Sequence, residues 1–318
     1  MSVGRPLSSS TLAAPVAPAV DPRRTPRRGS TRASGARARR RAAWGLAPFS
    51  VYVALFLALP TALAVWSGFV ASDGSLTLDT VAALGDPLIL RTFGTTLWLS
   101  AITALGGAVL GAFVCYALIG VRSDGPLRST VDAISGVLAQ FGGVMLAFAF
   151  VATIGIQGFV TVLLRDSLGI DIFADGVWLY EAPGLILPYL YFQVPLMIIV
   201  FLPALEGLKT QWAEANATLG GTRATFWWRI GLPVLAPSFI GSLLLLFANA
   251  FSSYATAAAL TSQGQSIVPL QIRAALTSET VLGRENLAGA LALGMIVVMA
   301  IVMGLYALVQ RRAARWQR

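Results

Sequence analysis

Apolar residues in this chain are gathered into long runs rather than alternating with polar ones, and this spacing predicts helices with no strands. Six runs, roughly 46–70, 95–120, 132–156, 183–205, 234–260 and 287–310, are long enough to cross a bilayer, which takes about 20 mostly apolar residues per helix. Pro60, Pro188, Pro195 and Pro237 fall within these runs or at their ends. Spanning helices tolerate proline where neighbouring groups satisfy the freed carbonyls. Gly107-Ala-Val-Leu-Gly111 is a small-xxx-small pattern, which lets two helices approach closely. The fold class read from the pattern is all-α, an integral membrane protein of six transmembrane helices.

Composition agrees with the pattern. Hydrophobic residues make up 56% and charged residues 12% of the chain, about half the charge of a soluble domain. The absence of histidine removes the commonest general base and metal ligand. Cys115 is the single cysteine and lies in an apolar run, so it reads as a small buried hydrophobe. Neither a catalytic residue nor a metal site is expected.

Lys and Arg number 23 against 14 Asp and Glu, and their placement decides what that excess means. Residues 1–43 are rich in Arg, Pro, Ser and Ala, with arginines at 5, 23, 24, 27, 28, 32, 37, 39, 40 and 41. Such a segment buries too little apolar area to offset its ordering entropy and is read as a disordered tail. Its arginines suit anionic headgroups. With the amino terminus inside, every cation except Arg91, Arg165, Arg273 and Arg284 falls on the cytoplasmic side. The outer loops then hold acids such as Asp73, Asp171 and Glu181. That is the positive-inside bias, and it places both termini in the cytoplasm without invoking nucleic acid. Ala62-Leu63-Ala64 resembles a leader cleavage site, but the apolar run continues to Val70 and is read as a retained span. Residues 44–318 form the transmembrane domain.

One connection, residues 206–233, stands out by its length. Gln211–Leu219 reads as a short helix with Ala213 and Ala217 on one face, stopped by Gly220-Gly221 because glycine accepts the left-handed turn at a helix end. Phe226-Trp227-Trp228 suits the headgroup interface, and Pro233 is expected where a new helix begins.

Glu214, Ala215, Gly220, Ile230, Leu232 and Pro233 stand at the spacing of the EAA motif, Glu-Ala-Ala, three residues, Gly, nine residues, Ile, one residue, Leu-Pro. In this loop the chain resembles the inner-membrane permeases of binding-protein-dependent ABC importers. Asn216 departs from the pattern by replacing the second alanine. Thr95-Thr-Leu-Trp-Leu-Ser100 and Phe247–Ala257, followed by Leu260 and Val268, resemble the second and fifth spans of the spermidine/putrescine-type branch. That branch stands near permeases for phosphonate, sulfate, thiamine and ferric iron. The resemblance covers about residues 46–310 and leaves out the tail.

The resemblance implies a type I ABC importer permease (MetI-like) fold in a bacterial inner membrane, forming half of a translocation path for polyamine or a related small solute. It also implies a second permease subunit, usually a different chain, two ATP-binding subunits, and an extracytoplasmic substrate-binding protein. The loop 206–233 would be the element that couples to the ATPase. No cofactor is expected here: the only lysine, Lys209, is followed by Thr210 but preceded by Leu208, so the phosphate-binding Gly-x-x-x-x-Gly-Lys-Ser/Thr is absent. ATP and Mg would be bound by a separate chain.

Polar residues within spans are costly and often functional, which makes Gln140, Gln193, Asn249, Ser252, Ser253 and Tyr254 candidate path-lining residues. Hydrogen bonding between helices is the competing role for each. The alternative function is a secondary transporter or channel not powered by ATP. It would call for ionisable groups deep in the spans or for internal repeats, and neither is visible.

Overall fold

The structure, a computed structural model, describes residues 45–70, 75–122, 124–261, 267–277 and 285–316; the predicted tail, 1–43, lies outside them. The chain divides into two units, 1–59 and 60–318. The described part of the first is helical, with a π-helical turn at Ala54–Ala58.

Among the described residues six helical stretches are long and apolar enough to span a membrane: Gly45–Ser67 (α1), Pro87–Ala117 (α2), Val144–Leu168, Ala182–Glu206, Arg223–Phe251 and Leu287–Arg311. The main helices of the second unit after α1 are α2, α3 (Pro126–Gln140), α4 (Val144–Ile154), α5 (Phe159–Leu168), α6 (Ile186–Glu206), α7 (Thr210–Thr218), α8 (Arg223–Phe251), α9 (Ala255–Leu260), α10 (Val268–Thr277) and α11 (Glu285–Trp316).

α6 is the axis of the bundle. More than half of its spanning window is buried (56%), against 6% for α11. It packs chiefly against α2 and α3, while α8 lies on α2, α6 and α11. The contact with α2 depends on glycine. A Cβ on Gly107 would sit 2.7 Å from the Cβ of Gln193, and one on Gly111 would sit 2.5 Å from the Cβ of Met197. The small-xxx-small pattern is thus where α2 and α6 touch. Cys115, fully buried, lies in the same apolar cluster with Met197, Phe201 and Leu235.

α2 begins at Pro87, well before the predicted 95. The Asp86 side chain accepts a bond from the Leu88 N–H at 2.7 Å and Pro87 occupies the first turn, a start that needs no further donor. The polar residues along this helix are used inside the bundle. Thr92, Thr96, Ser100 and Thr103 each donate to the carbonyl four residues back. Three of their oxygens then accept from Gln271 Nε2 (2.8 Å), the Val268 N–H (3.0 Å) and Gln193 Nε2 (2.9 Å).

The predicted third span, 132–156, is not one helix. It is made of α3 and α4, broken at Phe141–Gly143. Glycine at 143 adopts φ +74° and ψ −146°, backbone open essentially only to that residue. Contacts along α6 show that the two pieces run end to end beside it. Arg128 meets Glu206 at one end of α6. The Phe141 and Phe150 rings lie 6.4 and 6.3 Å from that of Tyr191. Beyond them, a Cβ on Gly155 would come 3.1 Å from the Tyr180 hydroxyl, just ahead of α6. The 26 residues of α3 and α4 would cover about 39 Å as helix, enough to cross. The apolar window Val144–Leu168 instead includes a turn at residues 155–158.

The predicted fifth span, 234–260, is also two pieces. α8 stops at Phe251 and α9 resumes at Ala255. At its other end the expectation of a fresh helix at Pro233 is corrected. The helix is continuous from Arg223, widened by a π-helical turn at Trp227–Gly231. Proline lacks the N–H that would close the ordinary bond four residues back, and the wider turn absorbs that loss within the helix.

Candidate functional site

Two regions carry the residues singled out by sequence: the bridge between α6 and α8, and the paired helix breaks.

In the bridge, α7 ends at Gly220, whose φ of +76° is the left-handed turn expected there. Thr222 caps α8 by accepting from the Thr225 N–H at 3.2 Å. Asn216 ties the two helices together. Its Nδ2 donates to the Thr222 carbonyl at 3.1 Å, and its own carbonyl accepts from the Gly221 N–H at 2.8 Å. A Cβ on Gly221 would collide with the Asn216 side-chain oxygen, so the departure from the alanine pattern is matched by the second glycine.

Glu214 stands exposed on α7, beside exposed Ala213, Ala215 and Ala217. Leu219 is 88% exposed, a large apolar side chain with nothing covering it. It joins Trp212, Ala215, Asn216, Ile230 and Val234 around an apolar groove of about 290 Å³. Lys209 Nζ lies 6.0 Å from the Trp212 ring centre. Leu232 and Pro233 are exposed on α8 just past the π turn. There the Trp227 ring meets Tyr116 edge-on at 5.3 Å, seating α8 against α2. Of the motif residues, Ala215 and half-buried Ile230 border this apolar groove, while Glu214, Gly220, Leu232 and Pro233 are exposed on the bridge.

At the second region the two breaks face each other. The Gly143 N–H donates to the Thr256 hydroxyl at 2.9 Å, and the Tyr189 hydroxyl donates to the Ser253 carbonyl at 3.0 Å. Gln140 and Asn249 are exposed beside the breaks; Ser252 and Tyr254 are exposed within the second, and Ser253 is half-buried. Ser252 Oγ is turned back onto the Ala248 carbonyl at 2.9 Å. Gln193 is placed elsewhere, fully buried between α6 and α2 with Nε2 on Thr103 and Oε1 unpartnered. Gly143, Tyr189 and Thr256 were not singled out by sequence. Only the double glycine 142–143 inside an apolar run could have signalled them.

Among the described residues no group of three or more His, Cys, Asp or Glu could hold a metal ion.

Residues 160–315 match the family described as "Binding-protein-dependent transport system inner membrane component". A ferric transport system permease protein of Actinobacillus pleuropneumoniae is 24% identical over 200 residues, 63% of this chain and 28% of that protein. A molybdenum transport system permease protein of Mycobacterium tuberculosis is 28% identical over 218 residues, 66% of this chain and 76% of that protein. The chain thus spans under a third of the ferric relative. Among solved structures, a bacterial ABC transporter involved in the import of the acidic polysaccharide alginate matches with a TM-score of 0.67 at 18% identity, over 90% of this chain and 100% of that one. That likeness is one of fold.

Proposed function

We propose that this chain, whose residues 160–315 match the family of binding-protein-dependent transport system inner membrane components, is the permease subunit of an ATP-driven importer. The observation that carries the reading is the α7–α8 bridge. Glu214, Ala215, Gly220, Leu232 and Pro233 are exposed on this connection between two spans, and Ala215 and Ile230 line an uncovered apolar groove on it. An ATPase subunit would seat on α7, and closure of the ATPase pair would move α6 and α8 through it, favouring one access state over the other. ATP and Mg would reside on that partner. A second permease chain would complete the path, an extracytoplasmic binding protein would deliver solute, and the arginine distribution favours cytoplasmic termini in a bacterial inner membrane.

The two helix breaks are the part of this chain suited to line the path. Irregular backbone at membrane depth is tolerated where it lines a cavity, and Gln140, Asn249, Ser252, Ser253 and Tyr254 gather there. These groups are neutral. Neutral groups do not separate polyamine from a metal cation by charge, so the substrate class proposed, a small inorganic ion, rests on the relatives. The ferric and molybdenum permeases among the relatives support that substrate class.

The test is co-expression with the neighbouring genes, purification in detergent, and assay of ATP hydrolysis for wild type and Glu214→Lys. Co-purification of a nucleotide-binding subunit, with hydrolysis lowered in the variant, is expected. A chain that purifies without any ATPase returns the reading to a secondary transporter. Screening the binding protein with molybdate, sulfate, ferric ion and spermidine then selects the substrate.

A further inference from the structure

The ion cluster at the bridge end of α6 was not part of the site expected from sequence, and it joins that bridge to the broken span. Arg128, in the first turn of α3, is nearly enclosed, with its side chain 10% exposed. Its Nε donates to both carboxylate oxygens of Asp132 at 2.9 and 3.1 Å, within α3. Its Nη1 reaches Glu206 Oε1 at 2.6 Å, across to α6. Glu206 is the last residue of α6, and four residues later the chain enters α7 at Thr210. The opposite end of α3 is Gln140, followed directly by the break whose Gly143 N–H is held by Thr256. One 15-residue helix, about 22 Å long, therefore has the bridge at one end and the paired breaks at the other.

We propose that Arg128 is a positioning residue, and that its bond to Glu206 is the joint through which displacement of α7 moves α3 and so changes the spacing of the two breaks. The inference rests on the permease reading above. Physically, the joint is stiff because a buried guanidinium keeps its carboxylate partners; leaving such a charge unpaired is strongly unfavourable. Its two carboxylates are not equivalent. Asp132 travels with Arg128 on the same helix, whereas Glu206 alone connects two helices. A cluster that merely neutralises a buried charge would depend on both alike. A joint depends on Glu206.

The experiment uses the assembled transporter with Cys115→Ala and spin labels at positions 137 and 255, exposed residues on α3 and at the start of α9. Distances are recorded with and without MgATP and orthovanadate, and ATP hydrolysis is measured alongside. In the otherwise wild-type protein the distance distribution is expected to shift on trapping. Glu206→Gln is expected to lose that shift while hydrolysis persists, and Asp132→Asn to keep it. Equal behaviour of the two variants, or a normal shift in Glu206→Gln, overturns the joint. Where Glu206→Gln fails to assemble, Glu206→Asp keeps the charge but is one methylene short of Arg128: loss of the shift supports the joint and a normal shift overturns it. Hydrolysis without a shift in the wild-type background overturns the joint alone. Absence of any ATPase in the purified assembly overturns the permease reading itself.

Discussion

The Gly143 N–H and the Thr256 hydroxyl, 113 positions apart in sequence, meet at 2.9 Å and hold two interrupted helices break to break. The amide is one that the α3–α4 interruption leaves without a helical partner, and Thr256 is almost fully buried. Replacing Thr256 by valine preserves shape and removes the acceptor. Gly143 is half-buried, so losing this bond costs about 0.5–1.5 kcal/mol; the variant is expected to melt earlier in detergent, and Thr256→Ser is expected to restore the melting temperature. Equal melting of Thr256→Val and wild type would show that the bond contributes nothing to stability.

The bridge yields a paired prediction. Asn216 occupies the space a side chain at 221 would need, and its Nδ2 holds the Thr222 carbonyl. Gly221→Ala should therefore expel the Asn216 amide and loosen α7 from α8, while Asn216→Ala should lose the bond but leave room. The double variant should be no worse than Asn216→Ala alone, since the clash disappears with the amide. Amide hydrogen exchange across residues 210–226 reads this directly. Additive effects of the two substitutions would show that they do not share a contact.

Hydrophobic run length gave the number of spans because a bilayer core dictates it, though not the bounds of the third, and Gly220 was legible as a stop because few residues take φ +76°. The spacing from Glu214 to Pro233 was legible as well, and the structure puts Ala215 and Ile230 of that series on one apolar groove. What sequence did not disclose are the features that arise between elements. The interruption at Phe141–Gly143 sits within an apolar run, so hydropathy passes over it; its amide is satisfied only by a residue in a distant helix. The start of α2 was hidden because Arg91 and Thr92 interrupt the apolar residues after Pro87, although Thr92 is buried and bonded to its own helix. Arg128 read as a cytoplasmic cation among others, and its enclosure follows from Glu206 arriving on α6.

Gln193 distinguishes a polar residue that packs from one that lines a path. It is fully buried, and its partner Thr103 already donates to the Leu99 carbonyl at 2.7 Å. Leucine at 193 would leave Thr103 bonded and would remove the unpartnered Oε1. The expected stability change is therefore small, within about 1.5 kcal/mol, the net worth of one ordinary hydrogen bond, with transport selectivity unaltered. Uptake competition between candidate ions in Gln193→Leu vesicles checks this, and altered selectivity would move Gln193 into the path.

The contact between α2 and α6 predicts opposite signs for one substitution at two glycines of the same helix. Gly94 is exposed and a Cβ there meets nothing within 4 Å. Gly94→Ala removes only backbone freedom from a helix interior and should stabilise by about 0.5–1 kcal/mol. At Gly111 the added Cβ would lie 2.5 Å from the Met197 Cβ and 2.9 Å from the Val194 carbonyl oxygen. These atoms belong to or adjoin the α6 backbone, so they yield only if the helix shifts. Overpacking of this kind costs about 1–3 kcal/mol, which exceeds the gain in helix propensity, and Gly111→Ala should melt below wild type. Thermal unfolding of the two variants in one detergent decides the point. A Gly111→Ala protein as stable as Gly94→Ala would mean that α2 and α6 pack more loosely than Gly107 and Gly111 require.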